Sequence, residues 1–100
     1  MAETIQVVDY YYLSCPDKPG EGAKILSIFR DAGVNLLAVH AFPSARRTQV
    51  DFVPENSAAF LRAARKAKLK LTKRRAFLAT GEDRVGVIAE ILEKLGEAKV

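Results

Sequence analysis

One phrase occurs twice in this chain, and the second occurrence ends at the last residue. The segment "CPDKPGEGAKILSIFRDAGV" (15–34) is matched by "GEDRVGVIAEILEKLGEAKV" (81–100) at a displacement of 66 positions. The identical pairs are Asp17/Asp83, Gly20/Gly86, Ala23/Ala89, Ile25/Ile91, Leu26/Leu92, Ala32/Ala98 and Val34/Val100. Because these pairs fall both on a turn and on an apolar helix face, they predict an internal structural repeat.

The length of the chain limits how much of the repeat can be completed. Domains most often contain roughly 100 to 150 residues, and this chain has 100. With 49% apolar residues it can bury one core. We therefore expect one complete module over residues 5–75, followed by the first strand and helix of an incomplete second module over 76–100.

The order of elements follows from hydrophobic spacing and from helix and strand breakers. β-branched and aromatic residues predict strands, apolar residues three and four apart predict amphipathic helices, and Gly33 provides a helix stop. Asn56 or Ser57 is expected to cap the second helix. The predicted elements are strand 5–15, helix 21–32, strand 34–42, strand 48–53, helix 58–67, strand 69–80 and a helix containing Ile88, Ile91, Leu92 and Leu95.

This order predicts an α+β fold of the ferredoxin-like kind. Such a fold has a βαββαβ antiparallel sheet with two helices on one face, here followed by the βα start of a second repeat. The first two strands lack polar residues at alternate positions, whereas a half-buried strand would have them. We therefore expect another copy of the chain to cover or extend the sheet, giving a homodimer or a higher homo-oligomer.

The order strand, "DKPG", helix, "AGVNL", strand resembles the ACT domain, a small regulatory module attached to many amino-acid-metabolising enzymes. Residues 5–80 resemble one complete module in order and length, and 76–100 resemble the start of a second. The resemblance implies a small stand-alone tandem ACT protein. It also implies a non-catalytic regulatory function, in which a small molecule, most simply an amino acid, is bound and the module acts through dimerisation.

The candidate ligand site is the turn before the first helix together with the residues that follow this helix. A helix N-terminus presents free N–H groups that suit a carboxylate, and Asn35 can both donate and accept hydrogen bonds. In amino-acid-binding ACT modules the matching residues line a pocket shared between two modules. The candidate ligand-binding residues are Asp17, Lys18, Pro19, Gly20, Glu21, Gly22, Asn35 and Leu36.

Two of these residues have an equally good structural interpretation. Asp17 is a common turn or helix-capping residue, and Asn35 can simply close the helix. In the second copy Val85 replaces the proline and Lys99 replaces the helix-ending glycine. The second copy is therefore expected to bind a ligand less well than the first.

Half of the sixteen basic residues lie within fourteen positions, and they raise the alternative of RNA binding. RNA-recognition modules share the βαββαβ order and stack bases on sheet aromatics, which here would be Tyr10, Tyr12 and Phe52. The strand-three signature of a glycine with paired aromatics is missing, so we favour a solvated basic face and do not expect a nucleic-acid partner. The basic residues are Arg62, Arg65, Lys66, Lys68, Lys70, Lys73, Arg74 and Arg75.

The sequence contains no motif typical of an enzyme. Cys15 is the only cysteine and His40 the only histidine, and neither metal-ligand spacing nor a phosphate-binding loop occurs. We therefore expect no catalytic residue, no metal and no cofactor. The chain has no apparent signal peptide or membrane span, and its single cysteine favours a reducing, cytoplasmic setting.

Overall fold

The computed structural model describes residues 4–100 and contains four strands and three helices within them. All four strands belong to one antiparallel sheet in the order β2-β3-β1-β4. The predicted α+β, ferredoxin-like fold is confirmed. The elements are β1 (Thr4–Pro16), α1 (Glu21–Asp31), β2 (Leu36–Ser44), β3 (Arg47–Pro54), α2 (Ser57–Lys66), β4 (Thr72–Thr80) and α3 (Val87–Glu97).

The described chain divides into two compact units. The larger unit is Asp9–Ala76, and the smaller unit comprises residues 4–8 with Phe77–Val100. In the larger unit alternate residues of β1 and β3 pack against α1 and α2. The buried core consists of Tyr11, Leu13, Cys15, Ile25, Phe29, Val50, Phe52, Phe60 and Ala64.

Three phenylalanines form the centre of this core. Phe29 stacks on Phe60 with ring centroids 4.4 Å apart, and each ring lies 5.4 Å from that of Phe52. All three side chains are fully buried. The helical spacing of Ile25, Ile28, Phe29 and Ala32 predicts an apolar stripe on the first helix. That prediction is only partly correct, since Ile25 and Phe29 are buried while Ala32 is exposed.

The strand predicted at 69–80 begins three residues later, at Thr72. After α2, Lys68 takes a left-handed conformation with φ +60°, and the Leu69 N–H donates to the Ala64 carbonyl. This closing turn keeps the chain close to the helix end and out of the sheet. Leu69 and Leu71, whose alternation suggested a strand, instead pack against the core.

In the smaller unit α3 buries only part of its apolar surface. Val87 and Ile91 are buried and Leu95 is half-buried. Ile88 and Leu92, which were predicted to lie on the same stripe, are 64% and 60% exposed. An apolar surface therefore remains open on this helix.

The two segments related by the sequence repeat have the same local backbone. Gly20 and Gly86 precede their helices with φ values of +87° and +84°. After the helices, Gly33 and Lys99 have φ values of +71° and +63°. The closing hydrogen bonds correspond as well, since Val34 N–H donates to the Phe29 carbonyl and Val100 N–H to the Leu95 carbonyl, both at 2.9 Å.

The β2–β3 connection is shorter than the "PSARR" connection that the sequence suggested. Ser44 pairs with Arg47, so only Ala45 and Arg46 form the turn, with φ values of +51° and +67°. Two-residue hairpin turns with positive φ at both positions favour Asn-Gly, because other residues are strained there.

We expect the double substitution Ala45→Asn with Arg46→Gly to raise the free energy of unfolding by about 1 kcal/mol, since it removes this backbone strain. Urea denaturation would measure the change. Ala45→Val is the opposing control, because a β-branched side chain is least tolerated at positive φ, and it should destabilise the protein. If both variants shifted the urea midpoint in the same direction, the strain argument would be wrong.

Candidate functional site

The turn between β1 and α1 is open to solvent. Asp17, Lys18, Pro19 and Gly20 are all exposed, and among residues 4–100 no side chain caps the first helical N–H groups. The Glu21 N–H makes only a long bond of 3.3 Å to the Lys18 carbonyl. A carboxylate can therefore approach the start of this helix, where N–H groups lack partners within the helix.

The glycines of the turn have different roles. The position of Gly20 requires glycine, because a residue with a side chain would be strained at a φ of +87°. Gly22 does not have a positive φ. A Cβ atom built at either position would meet no other atom within 4 Å. The space beside the turn is therefore open, as the predicted ligand approach requires.

Asp17 does not cap α1. Its Oδ1 accepts a hydrogen bond of 3.3 Å from the Thr48 hydroxyl, which connects the turn to the start of β3. Of the two structural interpretations of this residue, helix capping is wrong. Asp17 acts as a turn residue tied to the neighbouring strand.

Asn35 and Leu36 lie at the other end of α1 from the turn. The eleven residues of α1 span about 16 Å at 1.5 Å per residue. The Asn35 side chain donates to Glu55 Oε2 at 2.8 Å, and Leu36 packs against the core. A single chain therefore does not bring these two residues to the predicted ligand turn.

Asn35 also does not close the helix. The Gly33 N–H donates to the Arg30 carbonyl and the Val34 N–H to the Phe29 carbonyl, which completes the helix end without Asn35. The side chain of Asn35 instead joins the start of β2 to the end of β3 through Glu55.

The two turns differ in charge although their backbones match. In the second turn, both guanidinium NH groups of Arg84 donate to the Glu90 carboxylate. This hydrogen bonding, together with the positive charge, lowers the pKa of Glu90 relative to that of an ordinary glutamate. The equivalent residues of the first turn are Lys18 and Lys24, which are both cationic.

A cleft of about 420 Å³ lies beside the first turn of α1. It is bounded by the end of β1, by α1 and by the connection from α2 to β4. Its charged lining residues are Glu21, Lys24, Lys68 and Lys70. Of these, only Glu21 belongs to the predicted site. The basic cluster at 62–75 was the single sequence signal for Lys68 and Lys70. Lys24 lies 38 positions before the first residue of that cluster, so no local pattern placed it there.

The sheet face opposite α1 and α2 carries part of the aromatic surface considered for RNA. Tyr10 and Tyr12 lie there at a ring distance of 6.4 Å, and the Arg74 guanidinium lies 5.8 Å from the Tyr12 ring centroid. Phe52 does not, because its side chain is fully buried in the core. One of the three aromatics proposed for base stacking is therefore unavailable.

The only cysteine and the only histidine lie on opposite faces of the sheet. Cys15 is buried with the core residues, whereas His40 is exposed and pairs with Asp51 across β2 and β3. The geometry excludes a Cys–His nucleophilic pair within one chain. Residues 4–100 contain no group of three or more His, Cys, Asp or Glu side chains suited to a metal ion. None of their helices combines the length and apolar character of a membrane span.

Several solved structures share this architecture. The aspartokinase alpha and beta subunits superpose with a TM-score of 0.69 at 20% identity, covering 98% of this chain and 74% of that one. The regulatory subunit of aspartate kinase from Thermus thermophilus gives 0.62 at 18% identity, covering 91% and 70%. A protein from Bacteroides thetaiotaomicron gives 0.72 at 12% identity, covering 94% and 65%. This chain shares the ferredoxin-like fold of these structures, and ACT domain proteins are among its structural neighbours.

The similarity to known proteins lies in the three-dimensional structure and not in the sequence. No protein-family model matches the sequence, and no curated protein matches it. At identities of 12–20% the shared property is the fold. Within the fold of this chain, the "DKPG" segment forms the turn before α1 and the "AGVNL" segment connects α1 to β2.

Proposed function

We propose that this chain is a regulatory module without catalytic activity that binds an amino acid at the β1–α1 turn. The observation that carries the proposal is the start of α1. It begins after a left-handed glycine, has no side-chain cap and faces open space. The partial positive charge of a helix N-terminus favours the α-carboxylate of such a ligand.

The comparisons support the regulatory part of the proposal. One of the similar structures is the regulatory subunit of aspartate kinase from Thermus thermophilus. We extend that regulatory role to this chain by analogy of fold. A cytoplasmic location is part of the same proposal and is consistent with the single free cysteine.

The proposed module acts as a homodimer or a higher homo-oligomer. Because the turn and Asn35 lie at opposite ends of α1, a pocket containing both needs residues from two modules. The exposed Ile88 and Leu92 of α3 provide an apolar surface for association. We further propose that residues 76–100 form the first strand and helix of a second module.

A thermal-shift screen of the twenty amino acids and common nucleotides tests the ligand. A ligand that binds only the folded state at a concentration of 100 times its Kd adds about 2.7 kcal/mol of stability. For a domain of this size, we expect the correct amino acid to raise the Tm by about 10–20 °C. If no amino acid shifted the Tm, amino-acid binding would be rejected.

We expect the double substitution Ile88→Lys with Leu92→Lys to shift the chain from an oligomer to its 11.0 kDa monomer in equilibrium sedimentation. The reason is that charged ammonium groups would replace the apolar surface of the interface. Glu93→Lys on the same helix is the matched control, because Glu93 is already charged and exposed, and it should leave the oligomer intact. A wild-type chain that sedimented only as a monomer at tens of micromolar would contradict the proposal.

RNA binding stays as the second candidate because Arg74 lies over the Tyr12 ring on the open sheet face. We rank it lower because Phe52 is buried. Fluorescence anisotropy with a single-stranded RNA would decide between the two. A salt-sensitive complex that Tyr12→Ala abolished would favour RNA binding over the amino-acid proposal.

A further inference from the structure

Three lysines surround the cleft beside the first turn of α1. Lys24 is on α1, while Lys68 and Lys70 are on the connection from α2 to β4. Within residues 4–100, no carboxylate forms an ion pair with any of these ammonium groups. Glu21 is the only acidic residue of the lining. The cleft therefore has an excess positive charge, which attracts anions.

In the second turn, which has the same backbone conformation, a carboxylate balances the positive charge. There the carboxylate of Glu90 lies against Arg84 and neutralises it. In the first turn Lys24 takes the place of Glu90, and Lys18 takes the place of Arg84. Cations close to a helix N-terminus are unfavourable for the helix itself. The first turn thus has a cation at the position where the second turn has the carboxylate of Glu90.

We propose that this cleft binds an amino acid whose side chain carries a carboxylate, such as glutamate or aspartate. The inference rests on the proposed function and names the class of its ligand. The N–H groups at the start of α1 hold the α-carboxylate of the ligand, the lysines donate hydrogen bonds to its side-chain carboxylate, and Glu21 accepts one from its ammonium group. Glu21, the first residue of α1 after the turn, lines the cleft, so the cleft lies next to the start of the helix.

The size and walls of the cleft agree with such a ligand. Its volume of about 420 Å³ is within the range of small-molecule pockets. Ile25 and Leu69 provide apolar lining for the methylene groups of the side chain. The cleft has three positive charges and one negative, and a dicarboxylic amino acid has two negative and one positive, so the charges are complementary.

Isothermal titration calorimetry with matched ligands tests this class. We expect glutamate or aspartate to bind at least tenfold more tightly than glutamine or asparagine, which have the same shape without the side-chain charge. Glutarate and succinate, which lack the ammonium group, should also bind more weakly. Raising the salt concentration should weaken binding, because the contacts are between charges at the protein surface.

Substitution of the lysines that line the cleft should also weaken binding of the acidic ligand. We expect Lys24→Gln and Lys70→Gln each to weaken binding of the acidic ligand about tenfold, or by about 1.4 kcal/mol. Lys94→Gln on α3 is the matched control and should leave the affinity unchanged. Lys24→Glu, which places at α1 the carboxylate that Glu90 provides at α3, should abolish binding.

Lys68→Gly separates binding from stability. Lys68 has a φ of +60°, a conformation that glycine adopts without strain. We therefore expect this variant to raise the Tm of the unliganded protein while it lowers the affinity for the acidic ligand. A loss of binding in this variant could not be attributed to unfolding.

The outcomes of these experiments distinguish a failure of the acidic-ligand inference from a failure of the proposed amino-acid-binding function. If a neutral amino acid bound as tightly as an acidic one and the lysine variants had no effect, the inference would be overturned while the amino-acid function stood. If glutarate bound as tightly as glutamate and Glu21→Gln changed nothing, the cleft would be a simple anion site, and the inference would also be overturned. If no amino acid bound at all, the proposed function would fail together with it.

Discussion

Replacing Phe29 with alanine is expected to lower the free energy of unfolding by about 3–5 kcal/mol. The Phe29 ring is fully buried, stacks on Phe60 at 4.4 Å and lies 5.4 Å from Phe52. Its removal would leave a cavity at the point where α1 meets the sheet and α2. Because small domains have about 5–15 kcal/mol of stability in total, the loss would be a large fraction.

Equilibrium urea unfolding followed by far-ultraviolet circular dichroism would measure this loss. Phe77→Ala is the matched control, because Phe77 is 44% exposed and its truncation should lower the free energy of unfolding by only about 1 kcal/mol. Equal losses in the two variants would show that Phe29 is not at the centre of the core.

Gly20→Val is expected to abolish ligand binding, whereas Gly86→Val should leave it nearly unchanged. Valine is strained at the φ values of +87° and +84°, so each variant should lose about 1–2 kcal/mol of stability. Only the first variant distorts the turn with exposed helical N–H groups and a lysine-lined cleft. The proline, the helix-ending glycine and Asn35 also occur only in the first copy.

The two glycines form a well-matched pair for this comparison. A Cβ atom at either position would meet nothing within 4 Å, so neither variant introduces a local clash. Calorimetry with the amino acid found in the thermal-shift screen would measure the affinities, and thermal melts would check that the stability losses are similar. If both variants bound the ligand normally, the turn would have only a structural role.

The local sequence was sufficient to predict most elements. The β-branched and aromatic residues of β1, the apolar spacing of α1 and the cap at Asn56 all act over a few residues, which is why their patterns are informative. The predictions were wrong where the chain adopts a strained backbone conformation that its residues do not favour, as in the two-residue turn at Ala45 and Arg46. The sequence there carries no Asn-Gly signal from which such a turn could be predicted.

The candidate site could be predicted only in part. The turn at 17–22 is a contiguous motif, so its exposure and its left-handed glycine followed from the residues themselves. By itself the sequence therefore determined the strand and helix order, the resemblance to the ACT fold and the location of the turn. These properties depend on neighbours along the chain.

Only the tertiary structure decided which distant residues meet. It places Lys68 and Lys70 beside Lys24, places Phe52 in the core and leaves Asn35 at the far end of α1 from the turn. The physical reason is that these relations depend on how the helices pack against the sheet and on how α2 ends. Both are set by contacts between residues that lie far apart in the sequence.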